Sequence, residues 1–484
     1  MKKIYIILLI ALLVRLIHIS YTVIGWHSWR QSDTAAIAKN FYENGYNILY
    51  PQIDWRGNTE GYVESEFHIY PFIVSLLYGI FGVHESLGRI TSVIFSLLTI
   101  LGLYILFKKY LGENIALWSA FIYAIIPLNI FYGRAFMPES AMLMFSVFGI
   151  YFYTEWLDNY KWKDFILTLI FISLAILIKL TSLYLGFLMF FLIFQKNGIK
   201  FLFNWKAILL GTLILIPVAG WYYHAHILYL KTNLTFAIWE FSGDKWANLK
   251  ILTDIDFYHG VFLRNIAERH LTYPGFIFFI FGLFIKRKNK NEFIFDFWLI
   301  SVLIYFFVVA RGVNIHEYYQ LPFILPAVAF VGKSIDKIVT GIKDINIPLN
   351  KKIIFYISVL LMILIPVLST LRIINFYRSE NNDNPIFSNA EEIQKSTKKE
   401  DLIITVCDGN PVYLYIYDRK GWVLTPDRMN YDSVFELKKT GAKCLTGALS
   451  IINTPERKMN LDILKEKFGN YKITKDYFEI YLLN

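Results

Sequence analysis

Apolar runs of roughly 18 or more residues recur along this chain from Ile4 to about Leu371, and a helix of that length is what crossing the hydrocarbon core of a bilayer requires. Lipid offers the backbone no hydrogen-bond partners, so each run has to satisfy its own amides and carbonyls as an α-helix. The fold class that follows is mostly α, a polytopic membrane protein. Composition agrees, with 56% hydrophobic, 18% aromatic and only 18% charged residues among 484 and a mean hydropathy of +0.44. Met1-Lys2-Lys3 followed by an apolar run has the outline of a signal peptide. The run continues to Val23 without a small-residue cleavage site, and more spans follow, so it is read as the first span.

The net charge of +10 does not mark a nucleic-acid surface, because the Lys and Arg residues recur between spans instead of forming one basic, aromatic-interleaved patch. Cytoplasmic loops are enriched in Lys and Arg, and alternating sides from Lys2 and Lys3 keeps Lys108, Lys109, Lys161, Lys163, Lys196, Lys200, Lys286-Arg287-Lys288 and Lys351-Lys352 inside. That register uses spans near residues 4–23, 88–107, 114–131, 138–156, 165–178, 183–194, 207–222, 271–285, 292–309, 320–333 and 353–370, about eleven in all. It depends on Lys179-Leu180-Thr181-Ser182 dividing 165–194 into two spans; one continuous helix would flip everything downstream.

Under this topology Asp33, Glu64, Glu66, Arg134, Glu139, Arg311 and His316 share the extracytoplasmic side. The first loop, about 24–87, carries amphipathic segments of its own. Ser32 or Asp33 is placed to cap a helix containing Ile37 and Phe41, with Gly45 as its stop signal. Residues 67–81 are apolar but short for a span, and two helices along the membrane surface fit both stretches. The chain divides into a membrane domain, 1–371, and a small extracytoplasmic α/β domain, 372–484. In the latter 401–407 and 477–483 have strand patterns, and 433–440 and 461–468 helical ones. Cys407 and Cys444 fall there, each on or next to an expected strand, and two buried free thiols are favoured over a disulfide. No CxxC, HExxH, GxGxxG or P-loop pattern occurs in a supporting context, and there is no internal repeat.

WRQSDTAAIAKNFYENG, GYVESEFHIYPFIVSLLY, GRAFMPESAMLM, IKLTSLYL, HEYYQLPFILP and CDGNPVYLYIYDRKGW occur in that order. Together they resemble the GT-C superfamily of membrane glycosyltransferases, in particular the branch of protein O-mannosyltransferases and the lipid A aminoarabinose transferase. The resemblance spans residues 1–370, with the tail less closely matched. It implies transfer of a sugar from a polyprenyl-phosphate carrier, dolichyl or undecaprenyl, to an acceptor hydroxyl of a glycan, lipid or protein at the extracytoplasmic surface.

Asp33 matches that family's first-loop catalytic aspartate. The chemistry is coherent without the name: an acceptor hydroxyl needs a positioned base, while the departing lipid phosphate is already a stable anion and needs no acid. A single carboxylate then suffices, and direct displacement inverts the sugar. The competing role for Asp33 is the helix cap alone. Glu64 and Glu66 either orient the acceptor, bind a divalent ion or are solvated loop charges; Glu64, which aligns with the family's second acidic position, is the one assigned to the catalytic site as acceptor-orienting. The donor phosphate calls for cations, and Arg134, Arg311, Lys179 and His316 are the candidates. Against this stand an Arg134 to Glu139 ion pair and interfacial snorkelling of Lys179 and His316. Arg30 is placed to hold Asp33 ionised, to form a surface ion pair or to contact the phosphate. Arg15, inside the first span, is expected to pair with the protein interior. His68 and His259 are read as hydrogen-bonding residues, and no metal or other cofactor is expected. The alternative functions are a flippase or transporter of lipid-linked sugars, without the inverted repeats such proteins carry, and a tail-domain scaffold, for which so many spans are excessive.

Overall fold

Each apolar run marked out in the sequence is helical over most of its length in the computed structural model, which describes residues 2–238, 245–341, 349–378 and 384–482. Five of the described helices are long and apolar enough to cross a membrane: Glu85–Leu111, Leu180–Asn197, Trp205–Thr232, Lys290–Val308 and Lys352–Arg378. The other expected spans are shorter or more polar helices. Lys2–Leu16 stops well before the expected end at Val23, where His18 turns with φ 55. The run 114–131 is broken into Glu113–Ile125 and Pro127–Tyr132, because Ile126 takes the extended conformation a residue before proline prefers.

Lys179 is the dividing residue anticipated from the sequence. It is extended, φ −152 and ψ 108, and separates Trp162–Ile178 from a 3-10 turn, Leu180–Leu183, that leads into Tyr184–Asn197. The stretch 165–194 is therefore two helices.

The chain groups into two units. A helical unit comprises Met1–Ile19, Arg89–His224 and Ala237–Tyr377, and a mixed unit comprises Ser20–Gly88, Ala225–Phe236 and Arg378–Asn484. The first loop thus groups with the tail, and the boundary drawn near 371 from composition falls inside the helix Leu349–Arg378. In the helical unit Arg15 is fully buried. It donates to Ser96 Oγ at 2.9 Å and to the carbonyls of Ala124 at 2.9 Å and Asn129 at 3.1 Å, on either side of the Ile126 break. The broken helix leaves carbonyls that a guanidinium satisfies, which is how a cation is held at that depth.

The mixed unit is built on a five-stranded sheet in the order β2-β1-β3-β5-β4, with β1 Leu402–Val406, β2 Lys420–Leu424, β3 Ala442–Ala448, β4 Tyr471–Ile473 and β5 Tyr477–Tyr481. β2, β1 and β3 run parallel, and β5 is antiparallel to β3 and β4. Ile404, Val406, Leu445 and Phe478 bury one face with Val434 and Leu464 from the helices Tyr431–Lys439 and Pro455–Phe468. Ile403 and Cys444 bury the other with Ile393 and Tyr417, and Trp55 of the first loop packs against that same face. Expected strands 401–407 and 477–483 correspond to β1 and β5, with residue 483 outside the described residues. β3 contains Cys444, which was expected on or next to a strand, while β2 and β4 had not been anticipated. Both cysteines are free and buried.

At its edge the sheet takes up the first loop. Gly421 of β2 donates to Asp54 O at 3.0 Å, and Gly57 donates to Gly421 O at 2.8 Å. A Cβ at Gly421 would lie 1.9 Å from Ile403 O, so only glycine lets the strand approach its neighbours here.

Candidate active site

The first-loop helix is Ser28–Glu43, one turn longer at its start than the sequence suggests, and this changes the meaning of Asp33. The N-cap is His27, in a left-handed conformation and with no side-chain cap bond. Asp33 is the sixth helical residue, past the amides a cap can reach. The cap role is thereby overturned, for Ser32 as well, whose hydroxyl donates back to Trp29 O at 3.1 Å. The end is as expected: Gly45 has φ 93, and Tyr46 N donates to Phe41 O at 2.8 Å across the turn. The helix is buried on most of its surface, so it is a packed element of the mixed unit rather than an amphipathic ribbon. Its partner Ile69–Phe81 does present an apolar face, with Leu76, Ile80 and Phe81 exposed.

Asp33 is 3% exposed. Its Oδ1 accepts from Trp55 Nε1 at 2.9 Å. Burial pushes its pKa up to about 7, with the Trp55 bond and the nearby Arg30 charge pulling down and Asp54 pushing up. Arg30 acts on Asp33 at a distance, while it forms an ion pair with Glu66, Nη2 to Oε2 at 3.1 Å, and its guanidinium lies 5.5 Å from the Phe236 ring centroid. Phe236 in turn packs on Trp55, centroids 6.0 Å apart. Asp33, Trp55, Phe236, Arg30 and Glu66 are thus one cluster.

Glu64 is fully buried and tied to the segment 234–236 rather than solvated. Its backbone pairs with Leu234 and Phe236 at 2.9 Å each, and its carboxylate accepts from Thr235 Oγ1 and lies 3.3 Å from His226 Nδ1. His68 sits 2.6 Å from Ser65 Oγ; burial pushes its pKa down to about 3, so it is neutral.

The remaining candidates belong to the helical unit. Glu139 and Lys179 are both buried, and they pair with each other at 2.5 Å. Lys179 Nζ also lies 4.5 Å and 4.9 Å from the ring centroids of Tyr318 and Tyr319. His316 stacks on Tyr318 at 5.1 Å, and Tyr132 donates to Glu317 at 3.0 Å. Lys179, Glu139 and His316 therefore come together around Tyr318. Arg134, fully buried, donates to His18 O at 2.8 Å and lies 4.6 Å from the Tyr377 ring centroid. Arg311 is on the short helix Ala310–Ile315, half-buried.

Sequence reasoning missed Trp55, His226, Thr235 and Glu317. Trp55 carried no local signal, since it meets Asp33 across 22 residues. Tyr318 and Tyr319 lay inside a quoted motif, but without an assigned part. Among the described residues no group of three or more His, Cys, Asp or Glu is arranged to hold a metal ion. An almost wholly apolar recess of about 740 Å³, open to its surroundings, lies in the helical unit by Trp156, Ile176 and Phe190 and contains none of these candidates.

Residues 68–224 match the family model of dolichyl-phosphate-mannose-protein mannosyltransferases. Two uncharacterised proteins of Aquifex aeolicus are similar. One is 25% identical over 261 residues, 50% of this chain and 59% of that protein, and the other 26% identical over 315 residues, 60% of each. The chain thus matches about three fifths of the length of these curated relatives. Among solved structures, ArnT from Cupriavidus metallidurans bound to undecaprenyl phosphate superposes with a TM-score of 0.67 at 12% identity, over 99% of this chain and 98% of that one. The Archaeoglobus fulgidus oligosaccharyltransferase does so at 0.59 and 12%, over 93% and 69%. At such identities the likeness is one of fold.

Proposed function

With the GT-C fold and the mannosyltransferase-like stretch 68–224 as premise, we propose that this multi-pass membrane protein transfers a monosaccharide from a polyprenyl-phosphate donor to an acceptor hydroxyl. The acceptor oxygen attacks the anomeric carbon, the bond from that carbon to the phosphate oxygen breaks, and the lipid phosphate leaves with the electron pair. Asp33 takes the hydroxyl proton, and the sugar inverts. One observation carries the assignment: Asp33 is a buried carboxylate with no capping duty, oriented by Trp55 and with a pKa raised to about 7. A base near the working pH combines a sizeable ionised fraction with a useful proton affinity.

Arg134 meets the donor phosphate with its planar fork, together with Arg311, His316 and Lys179, the last held by Glu139. Glu64 is a positioning residue. By tying down 234–236 it holds Phe236 against Trp55 and Arg30, and the Arg30 to Glu66 pair fixes the start of the Asp33 helix. About eleven crossings put these residues and the tail on the extracytoplasmic side, which follows from the Lys and Arg asymmetry of the loops. Two relatives bear on the donor class: ArnT was solved with undecaprenyl phosphate, and the matching family model is described by dolichyl-phosphate mannose.

The test is transfer by the purified full chain in nanodiscs, given undecaprenyl- and dolichyl-phosphate hexoses and pentoses with an envelope extract as acceptor. Mass spectrometry should find a one-sugar gain on an acceptor and stoichiometric free lipid phosphate. No gain with any donor would overturn the reading.

A further inference from the structure

Toward the far end of the Asp33 helix lies a second recess, this one polar and of about 210 Å³. It lies wholly inside the mixed unit. Its floor is Asn40 and Phe41, both buried. Asn40 is immobilised: its amide donates to Gln52 O and to Asp54 Oδ1, each at 3.0 Å, and its Oδ1 accepts from Lys420 Nζ at 2.6 Å. The aromatic wall is Tyr50 and Tyr62, ring centroids 5.1 Å apart and inclined at 62°. Asn44, Asn47 and Gln52 complete the lining.

None of the lining residues is charged. A phosphate or carboxylate would need cationic partners, and the C-terminal end of the helix Ser28–Glu43 turns its negative pole this way. What the recess does offer is a mixed set of neutral donors and acceptors. Gln52 is held in place by donating to Glu60 O at 2.8 Å and by accepting from Asn44. The Asn47 side-chain carbonyl accepts from Leu49 N at 3.2 Å, while among the described residues its NH₂ group, the Asn44 side-chain carbonyl and the Tyr62 hydroxyl have no hydrogen-bond partner. Carboxamides and phenols that donate and accept, beside aromatic faces on which C–H bonds pack, match the alternating hydroxyl and C–H surfaces of a sugar ring. An extended peptide would look for a free backbone edge, but Gln52 and Tyr62 already pair with each other there.

We propose that this recess binds a neutral saccharide. Resting on the transferase reading, the deeper consequence is that the acceptor is itself a neutral glycan, anchored here while its hydroxyl reaches Asp33. Asn40 lies seven residues from Asp33 on one helix, two turns along the same side and about 10 Å away, so the recess holds a residue of the acceptor set back from the reacting one.

Saturation-transfer NMR on the full chain in nanodiscs tests this with neutral manno-, gluco- and galacto-oligosaccharides, a hexuronate oligosaccharide and a Ser/Thr-rich peptide. A neutral oligosaccharide should bind. Its Kd should rise at least ~10-fold in both Asn47→Ala and Tyr62→Ala, the loss of one or two neutral hydrogen bonds and a packing face. No neutral binding, binding by the uronate or peptide alone, or a Kd unmoved by both recess variants would overturn the proposal. Binding without transfer from any lipid donor would sink the transferase reading and leave the saccharide site standing.

Discussion

Trp55 Nε1 donates to Asp33 Oδ1 at 2.9 Å across 22 residues of chain. Trp55 packs both with Ile37, Phe41 and Val63 of the first loop and with the sheet core around Ile403 and Cys444. The proposed base is therefore aimed by a side chain that the sheet of the tail itself holds.

That bond sets the pH dependence. A base works ionised, so kcat/KM should rise with pH through about 7 and level off above it. The indole stabilises the ionised carboxylate. Trp55→Phe removes that bond, and the acid limb should move to higher pH. A limb that stays in place in Trp55→Phe would mean that some other group titrates.

Asp33→Asn separates chemistry from folding. The amide oxygen still accepts from Trp55, but it takes no proton, and losing a general base costs on the order of a hundredfold to ten-thousandfold in rate. Stability should move the other way. The folded pKa is raised from 3.8 to about 7, so the contribution of Asp33 is full below its unfolded value and is lost as pH rises through the folded one. Above that, the buried charge costs up to about 4 kcal/mol. Asp33→Asn should then be more stable than the unaltered chain at pH 8, and by a smaller margin at pH 5. Equal melting temperatures at both would contradict the buried charge, and undiminished transfer would remove the assignment.

The apolar runs and the division at Lys179 were legible because length, hydropathy and a buried-depth cation are local signals. The start of the Asp33 helix was not. Ser32 and Asp33 look like caps, but packing buries the segment from Arg30 onward and pulls the helix back to Ser28, a tertiary effect that outweighs local capping preference. β2, with Gly421 as its second residue, and the short exposed β4 lack the buried alternation that marks a strand. The pairings of Glu139 with Lys179 and of Glu64 with Thr235 join residues 40 and 171 apart, where spacing carries no information.

Lys179 and Glu139 form a buried pair, and breaking such a pair by removing one partner typically costs about 3–5 kcal/mol. Lys179→Met should lower the folded yield sharply, and Lys179→Met combined with Glu139→Gln should recover most of it. If Lys179 also meets the donor phosphate, the refolded double variant keeps a donor KM raised at least ~10-fold, the loss of one charge-assisted hydrogen bond. A double variant with normal donor kinetics would confine Lys179 to holding the break between its two helices.

Arg134 is the most informative position in the helical unit, because its guanidinium both donates to His18 O, at the turn that ends the first helix, and lies 4.6 Å from the Tyr377 ring centroid. Arg134→Lys keeps the charge and loses the plane and the two-point fork. A phosphate-binding role predicts a donor KM raised about ten- to a hundredfold, the worth of one charge-assisted bond, with kcat affected less. A clamp on the His18 turn predicts instead a lower melting temperature at an unchanged donor KM. The expected result is the first. Kinetics of the purified variant across donor concentrations, with a melting curve from the same preparation, would show which role Arg134 plays, and an unchanged KM would withdraw it from the phosphate site.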